Sequence, residues 1–263
     1  MHGRRDRFAI HCRRVAMAAL LTAVSAIAAA QDAPAAGTRG NGSMPLTTPA
    51  LGAHTLLTHS EGMGVTPAVT SPIDTQPRDS SFIVLNGGYV RNAVTPVDSY
   101  GNHWKRIGDS VVFNGYDGAF DVTAYVALSG KGGALHSVRI DKRGYPEGEI
   151  SVPFVEITHA GVLKDMAQNY PAPGLVLTSD NVTTTGPALL VAVWWGDAGV
   201  RNMSARPDNG FTVIDSYLLL PDNSGVQCAV AYRQVTEAGT YHVNWVGSPI
   251  QGAILWLFAF QSK

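Results

Sequence analysis

Hydrophobic and polar residues alternate along most of the chain with the two-residue period of a β-strand. Every second residue is apolar in residues 120–128, and a similar alternation recurs in residues 226–232. Runs of this kind between Gly, Asn, Asp and Pro are typical of strands with one buried face. Residues 189–195 and 253–260 are apolar throughout, which predicts central strands buried on both faces. We therefore predict an all-β fold, in which residues 160–169 are the one candidate for a short helix.

The chain resembles itself at an offset of 106 residues. The offset relates Asp74 to Asp180, Tyr89 to Trp195, Asp109 to Asp215, Val122 to Cys228, Ala124 to Val230, and His136 to His242. Near the end the offset becomes 104, as in Phe154 and Phe258, and a slip of two residues keeps side chains on the same face. These matches predict an internal duplication of about 106 residues, with halves at residues 72–157 and 178–260. The two histidines should then share a structural role.

Two arrangements of these halves remain open: two small sandwiches in tandem, or one larger sandwich with internal pseudo-twofold symmetry. The connector, residues 158–177, is short for a linker between domains and contains apolar residues. We therefore favour a single jelly-roll-like β-sandwich over residues 72–263. Ahead of it, residues 31–71 should hold a flexible leader, rich in Ala, Gly, Thr, Ser and Pro, and one lead-in strand.

The N-terminus has the order of segments that a secretory signal peptide requires. Residues 1–14 are strongly basic, and residues 15–30 form an uncharged apolar run that ends in small residues. This run is short for a membrane-spanning helix, which needs about 20 residues, so a permanent anchor is the less favoured alternative. We predict cleavage after Ala30 and a secreted or periplasmic protein with no membrane span after the signal is removed.

Removal of the signal peptide leaves an acidic chain with one cysteine. The formal net charge changes from −1 to −5, because five arginines and one aspartate leave with residues 1–30. An acidic chain argues against a nucleic-acid partner, which requires a basic surface. Cys12 leaves too, so Cys228 has no internal partner for a disulfide. Burial of a hydrophobic core must therefore stabilise the domain.

The adjacent pair Trp194 and Trp195 is the first candidate ligand site. Neighbouring residues of a strand face opposite sides, so one ring could fill the core while the other reaches the surface. An exposed indole beside Asp197 could stack on a sugar ring while the carboxylate binds sugar hydroxyls. The favoured alternative buries both rings, one on each side of a central strand.

A second candidate ligand site lies in the turn sequence PVDSYGNHW, which contains Asp98, Asn102, His103 and Trp104. These polar groups could bind Ca²⁺ or a glycan. The same residues are typical of a tight turn, because Asp and Asn side chains bond nearby backbone and Gly adopts positive φ. We favour the turn, since the acidic loops of the chain lack the alternating ligands of a calcium site.

Signatures of catalysis or of a bound metal are absent from the sequence. The histidines form no H-x-H or HExxH pattern, and no G-x-S-x-G elbow occurs. Glu149 and Glu156 would face opposite sides of a strand at a separation of about 23 Å, too far for paired acid–base work. We therefore predict no metal site and no cofactor, and a non-enzymatic protein is favoured over an enzyme.

Several local motifs resemble bacterial and phage-associated secreted jelly-roll β-sandwich proteins of unknown function. The motifs are the D-S-x-G-N-x-W turn at residues 98–104, the Gly-rich hairpins LSGKGGALHSV and VTEAGTYHVNW, and the closing W-L-F-A-F strand. The resemblance covers residues 74–261. It implies a surface-exposed or secreted β-sandwich and carries no catalytic residues over.

Three functional hypotheses follow from these patterns. The leading one is an exported, non-enzymatic β-sandwich that binds a ligand, with a glycan as the first candidate, or contacts the cell-envelope surface. The second is a polysaccharide-active lyase or hydrolase on a jelly-roll scaffold. The third is a structural subunit that assembles through sheet edges. The sequence leaves the oligomeric state and the identity of the ligand open.

Overall fold

The structure is a computed structural model, and it describes residues 47–89, 94–113, 120–142, 145–197 and 201–263. At residues 89, 120, 121, 197 and 251 it describes the backbone alone. Within these ranges the regular elements are all strands, which confirms the predicted all-β class. The predicted signal peptide and most of the predicted leader lie outside the described residues.

Strands β1 to β18 follow one another along the described chain. The first eight are β1 (Ala50–His59), β2 (Ala68–Val69), β3 (Ser80–Tyr89), β4 (Val97–Asp98), β5 (Lys105–Val112), β6 (Phe120–Gly130), β7 (Val138–Ile140) and β8 (Ile150–Thr158). The others are β9 (Val162–Asn169), β10 (Gly174–Thr178), β11 (Val182–Thr184), β12 (Ala188–Asp197), β13 (Ser204–Pro207), β14 (Thr212–Tyr217), β15 (Val226–Val235), β16 (Gly239–Tyr241), β17 (Asn244–Gln251) and β18 (Ile254–Gln261). The predicted helix at residues 160–169 is wrong, because β9 occupies most of this segment.

Two five-stranded antiparallel sheets form the middle of the molecule. The first sheet has the order β1-β8-β3-β6-β5, and the second has the order β14-β15-β12-β18-β9. Both sheets contribute side chains to one central core, which includes Ile83, Leu85, Val122, Val155, Val191, Trp195, Cys228 and Phe258. The sheets therefore pack face to face as a sandwich, and the described residues cluster as one compact unit.

Smaller sheets cover the outer faces of this sandwich. The three-stranded sheet β2-β7-β4 packs on the first sheet, and together they enclose a first outer core that includes Phe82, Tyr125, Val138 and Phe154. The sheets β10-β17-β13 and β11-β16 pack on the second sheet around a second outer core that includes Leu177, Trp194, Trp245 and Leu257. Because both faces of the large sheets are covered, the central strands β12 and β18 are buried along nearly their whole length, as predicted.

The two halves of the chain have the same strand order. The order β1-β8-β3-β6-β5 corresponds to β9-β18-β12-β15-β14, and β2-β7-β4 corresponds to β10-β17-β13. The pair β11-β16 has no named counterpart among the described strands of the first half. This correspondence starts at β1, before residue 72. The internal duplication itself stays a prediction.

The offset of 104 that is expected for the last strand of each half is wrong. It relates Phe154, which lies in the first outer core, to Phe258, which lies in the central core. Side chains alternate along a strand, so the residue of β8 that faces the central core is Val155, the neighbour of Phe154. The separation of Val155 and Phe258 is odd, and an even offset therefore relates side chains on different faces. The offset of 106, by contrast, relates residues of one core at Val122 and Cys228, since both lie in the central core.

The predicted equivalence of His136 and His242 is also wrong. His136 is fully buried, and its backbone N–H and C=O both bond Ile73. In the second half the corresponding pairing joins Val182 to Tyr241, because Ser179 bonds Val243 in the way that Thr70 bonds Val138. His242 is only half-buried, so the two histidines do not share a structural role.

Candidate functional site

Both indoles of the tryptophan pair lie in the interior. Trp194 is 1% exposed in the second outer core, and Trp195 is 0% exposed in the central core. They point to opposite faces of β12, as neighbours on a strand must. Neither ring can stack on a sugar, which overturns this candidate ligand site. The side chain of Asp197 lies outside the described residues.

The Asp98 carboxylate is occupied by groups of its own turn. Its Oδ1 accepts bonds from the backbone N–H groups of Tyr100 (2.9 Å) and Asn102 (3.1 Å), and its Oδ2 accepts one from Trp104 Nε1 (2.8 Å). Burial alone would raise the pKa of Asp98. Nearby His136 and the two backbone donors outweigh it and lower the pKa to about 2.

The other members of this second candidate site are structural or solvent-facing. The amide of Asn102 donates to Lys131 O and accepts from Lys131 N, which joins the turn to the hairpin after β6. Trp104 is 6% exposed, and His103 is exposed. The structure thus brings Asp98, Asn102 and Trp104 together as a turn, and it presents none of their side chains as a cluster of free ligands.

A buried polar cluster lies where β1 ends and β8 begins. Lys142 is fully buried and its Nζ donates to Gly148 O at 2.7 Å, while Glu149 accepts a 2.9 Å bond from Ser224 Oγ. His59 is 6% exposed, and its Nδ1 has no hydrogen-bond partner among the described groups. Burial lowers the pKa of His59 and of Lys142, and the Lys142 charge lowers that of His59 further. The sequence did not single out this cluster as a site.

Glu156 has a structural role, and this role argues against a catalytic function of its carboxylate. The side chain is 2% exposed. Its Oε1 accepts bonds from Gln76 N (2.7 Å) and Ser80 Oγ (2.6 Å), and its Oε2 accepts one from Ala53 N (3.0 Å). The carboxylate thus ties β1, β3 and the chain before β3 to β8, and both of its oxygens are engaged.

The edges of the two large sheets meet through polar side chains. On one side, His54 Nδ1 of β1 lies 2.8 Å from Asp215 Oδ2 of β14. On the other side, the Gln168 amide of β9 bonds the backbone of Asp109 on β5. The hydrogen bond with Asp215 raises the pKa of His54, although burial opposes it. These contacts link the sheets at both edges of the sandwich.

An open cavity of about 470 Å³ lies beside β9, near the end of β18. We call it the β9 cavity, and its polar lining consists of Thr48, Lys164, Thr185, Gln261, Ser262 and Lys263. Val162, Gly186 and Pro187 complete the wall. This volume falls within the range of small-molecule binding sites, about 300 to 1,000 Å³.

One amide side chain joins two segments of the β9 cavity wall. Gln261 Oε1 accepts bonds from Thr185 N (3.3 Å) and Thr185 Oγ1 (3.1 Å), while Gln261 Nε2 donates to Pro187 O (3.3 Å). The Lys263 stem lies against Gly161, since a Cβ at that position would collide with Lys263 Cγ. The cavity wall is therefore fixed by contacts within the protein.

The sequence did not point to the β9 cavity. Its polar groups come from separate segments before β1, on β9, after β11 and at the end of β18. A helix at residues 160–169 would place Lys164 and Val162 on different faces, whereas the strand β9 turns both to the same side. The one local signal that could have indicated the β9 cavity is Lys164, since an outward lysine is typical of an edge strand.

In the described part of the chain, no group of three or more His, Cys, Asp or Glu residues could hold a metal ion. Cys228 is fully buried, and burial raises the pKa of its thiol, which disfavours the reactive thiolate. Within the same residues, no helix has the length and apolar character needed to cross a membrane.

Comparisons of the chain with protein-family models, with curated proteins and with solved structures found no match. The resemblance to secreted jelly-roll proteins therefore stays a prediction. Because a fold alone does not define an activity, the function must be argued from the geometry of the candidate sites.

Proposed function

We propose that the protein is an exported, non-enzymatic β-sandwich that binds a glycan in the β9 cavity. The observation that carries the proposal is the lining of this cavity, which combines residues that carry hydroxyl and ammonium groups with the apolar Val162 and Pro187. Sugars present hydroxyl groups around an apolar ring face, so a mixed lining of this kind matches their chemistry. The predicted signal peptide supports export and the proposed encounter with envelope glycans.

The chemistry of the lining favours binding over the alternative of a polysaccharide lyase or hydrolase. Glycoside hydrolysis uses two carboxyl groups about 5 to 10 Å apart. No carboxylate side chain lines the β9 cavity, whose titratable side chains are Lys164 and Lys263. The carboxylates of Asp98 and Glu156 are both engaged in structural hydrogen bonds.

For the third hypothesis, assembly of copies through sheet edges, the relevant observation is an exposed apolar surface that includes the edge strand β10. On the outer sheet β10-β17-β13, Val176 and Val246 lie opposite each other in register and are 54% and 47% exposed. Leu175 next to them is 52% exposed. Sedimentation of the purified protein would reveal such assembly as a concentration-dependent increase in mass, and a stable monomer would contradict it.

The shared strand order also supports the proposal that the two halves arose by duplication. In this proposal the β9 cavity belongs to the second half except for Thr48, which precedes β1, since β9 and β18 correspond to β1 and β8.

A glycan array tests the proposed function. The secreted protein is applied at high concentration to an array of neutral and charged oligosaccharides and of envelope polysaccharides. We expect retention of at least one glycan class, and substitution of Thr185 by Val should weaken it about fivefold, because the hydroxyl lies in the cavity wall. The absence of binding to every glycan would contradict the proposal.

A further inference from the structure

We infer that the glycan bound in the β9 cavity is anionic and that Lys164 and Lys263 hold its acidic group. The inference rests on the proposed function and adds the chemical class of the ligand. The acidic group is a carboxylate, phosphate or sulfate on a saccharide, since each presents the oxygen acceptors that a lysine ammonium binds.

The charged side chains around the cavity support an anion. Two of the lining side chains are lysines, and none is acidic. Burial alone would raise the pKa of Asp165, the nearest acid along β9, but its hydrogen bonds and the Lys164 charge lower it, so this carboxylate stays ionised. Its Oδ2 accepts bonds from Thr183 N (2.7 Å) and Thr183 Oγ1 (2.9 Å), and its Oδ1 accepts one from Met166 N (2.8 Å). The two lysines are the charged side chains of the cavity lining itself, and Asp165 lies behind Lys164 on the same strand.

The two lysines are held at the cavity by different elements. Lys164 lies at the register shift of the edge strand β9 and is exposed like Val162, which pairs with Gln261. Lys263 follows the end of β18, and its stem packs over Gly161. A side chain at position 161 would displace the Lys263 stem, because its Cβ would occupy the space of that stem. The position of one cation therefore depends on a residue that need not contact the ligand.

The neutral groups of the cavity suit the remainder of a saccharide. Thr185 Oγ1 donates its proton to Gln261 Oε1, so both lone pairs of this oxygen can accept bonds from sugar hydroxyls. The hydroxyls of Thr48 and Ser262 lie in the same wall. An acidic sugar would then be held by its charge at the lysines and by its hydroxyls at these three residues.

The experiment compares charged and neutral forms of the same saccharide. Binding to the full secreted chain is measured by calorimetry for neutral, uronate, phosphorylated and sulfated oligosaccharides, at low salt and at high salt. We expect at least one acidic class to bind about tenfold or more tightly than its neutral form, and added salt to weaken that binding. The separate arms distinguish the carboxylate from the phosphate and the sulfate.

Four variants locate the anion site. Lys164→Ala and Lys263→Ala should each weaken acidic-glycan binding about fivefold to tenfold, and Gly161→Val should do so by displacing the Lys263 stem. Lys105→Ala removes the same charge from an exposed position on β5 and should leave binding unchanged. Circular dichroism and thermal unfolding would verify that each variant is folded.

Failures of the two proposals are distinguishable. Neutral glycans that bind as tightly as acidic ones, or acidic binding that both lysine variants retain in full, would overturn the anionic site. In the first case Thr185→Val would still weaken binding, and the proposed glycan function would stand. If no glycan of either kind binds, the proposed function is overturned together with the inference.

Discussion

Gly87 of β3 and Trp195 of β12 show how closely the two large sheets approach each other. The indole of Trp195 is fully buried in the central core, and its Nε1 edge lies against Gly87. A Cβ at position 87 would collide with this ring. Interiors are packed to the density of organic crystals, so the tryptophan has little room to retreat. A small residue in one sheet thus admits the largest residue of the other.

Substitution of Gly87 by Ala should destabilise the protein by about 1–3 kcal/mol, because it forces a well-packed core apart. The change is measured as the free energy of unfolding in urea. Gly252→Ala is a matched control, since its new Cβ would lie no closer than 3.5 Å to any neighbour. Equal stability of the two variants would contradict this close approach of the sheets.

Single residues also explain how much of the two candidate ligand sites could be predicted from the sequence. The turn at Asp98 could be predicted, because Asp, Gly and Asn form local bonds that depend on neighbours in sequence. The apolar run of residues 189–195 indicated that both Trp194 and Trp195 are buried, whereas the layers that cover each face of β12 are visible only in the structure.

At the scale of elements, the edge strands decide how the sandwich closes. The strands β1 and β14 come from different large sheets and are joined by His54 and Asp215, which are 29% and 21% exposed in their side chains. The segment of β9 contains residues that favour helices, such as Leu, Lys, Met and Gln, yet it forms a strand. The open edge of β18 offers it hydrogen bonds and apolar contacts, and these outweigh the local preference.

The link between His54 and Asp215 predicts a pH dependence of stability. The pKa of His54 is raised in the folded state, so its contribution is fully present below the unfolded value of about 6.5 and is lost as pH rises through the folded value. Asp215→Asn should remove this contribution. We expect the variant to be less stable than the wild type by about 0.5–1 kcal/mol at pH 5.5, with a smaller difference at pH 8.5.

Urea unfolding of both proteins at the two pH values measures this difference. His59 has a lowered pKa, so its contribution is lost as pH falls, but it is present in both proteins and cancels in the comparison. Asp79→Asn is the control, because its bond to His159 lies at the surface and should contribute little. A stability difference that grows towards pH 8.5 would contradict the expected sign.

At the scale of the whole molecule, stability depends on layers that share their cores. The second sheet contributes to both the central core and the second outer core, and β18 lies between β12 and β9 within it. All of its residues from Ile254 to Phe260 are buried. Removal of this strand would expose two cores at once and leave two neighbouring strands without partners.

A chain that ends at residue 252 should therefore fail to fold. Full-length protein should resist limited proteolysis and unfold cooperatively, whereas the truncated chain should be degraded and show no cooperative transition. A chain that ends at residue 261 retains β18 and serves as the control. Cooperative unfolding of the shorter chain would show that the layers do not depend on β18 in this way.

The sequence by itself determined the strand content and the burial of β12 and β18, because alternation and apolar runs report which faces of a strand are covered. It also predicted the turn at Asp98, whose bonds are local. Only the tertiary structure decided that β9 is a strand and that Phe154 and Phe258 lie in different cores. The β9 cavity likewise depends on distant segments meeting, as at Gly161 and Lys263. Pairing partners and covering layers set these features, and neither is encoded in the neighbouring residues.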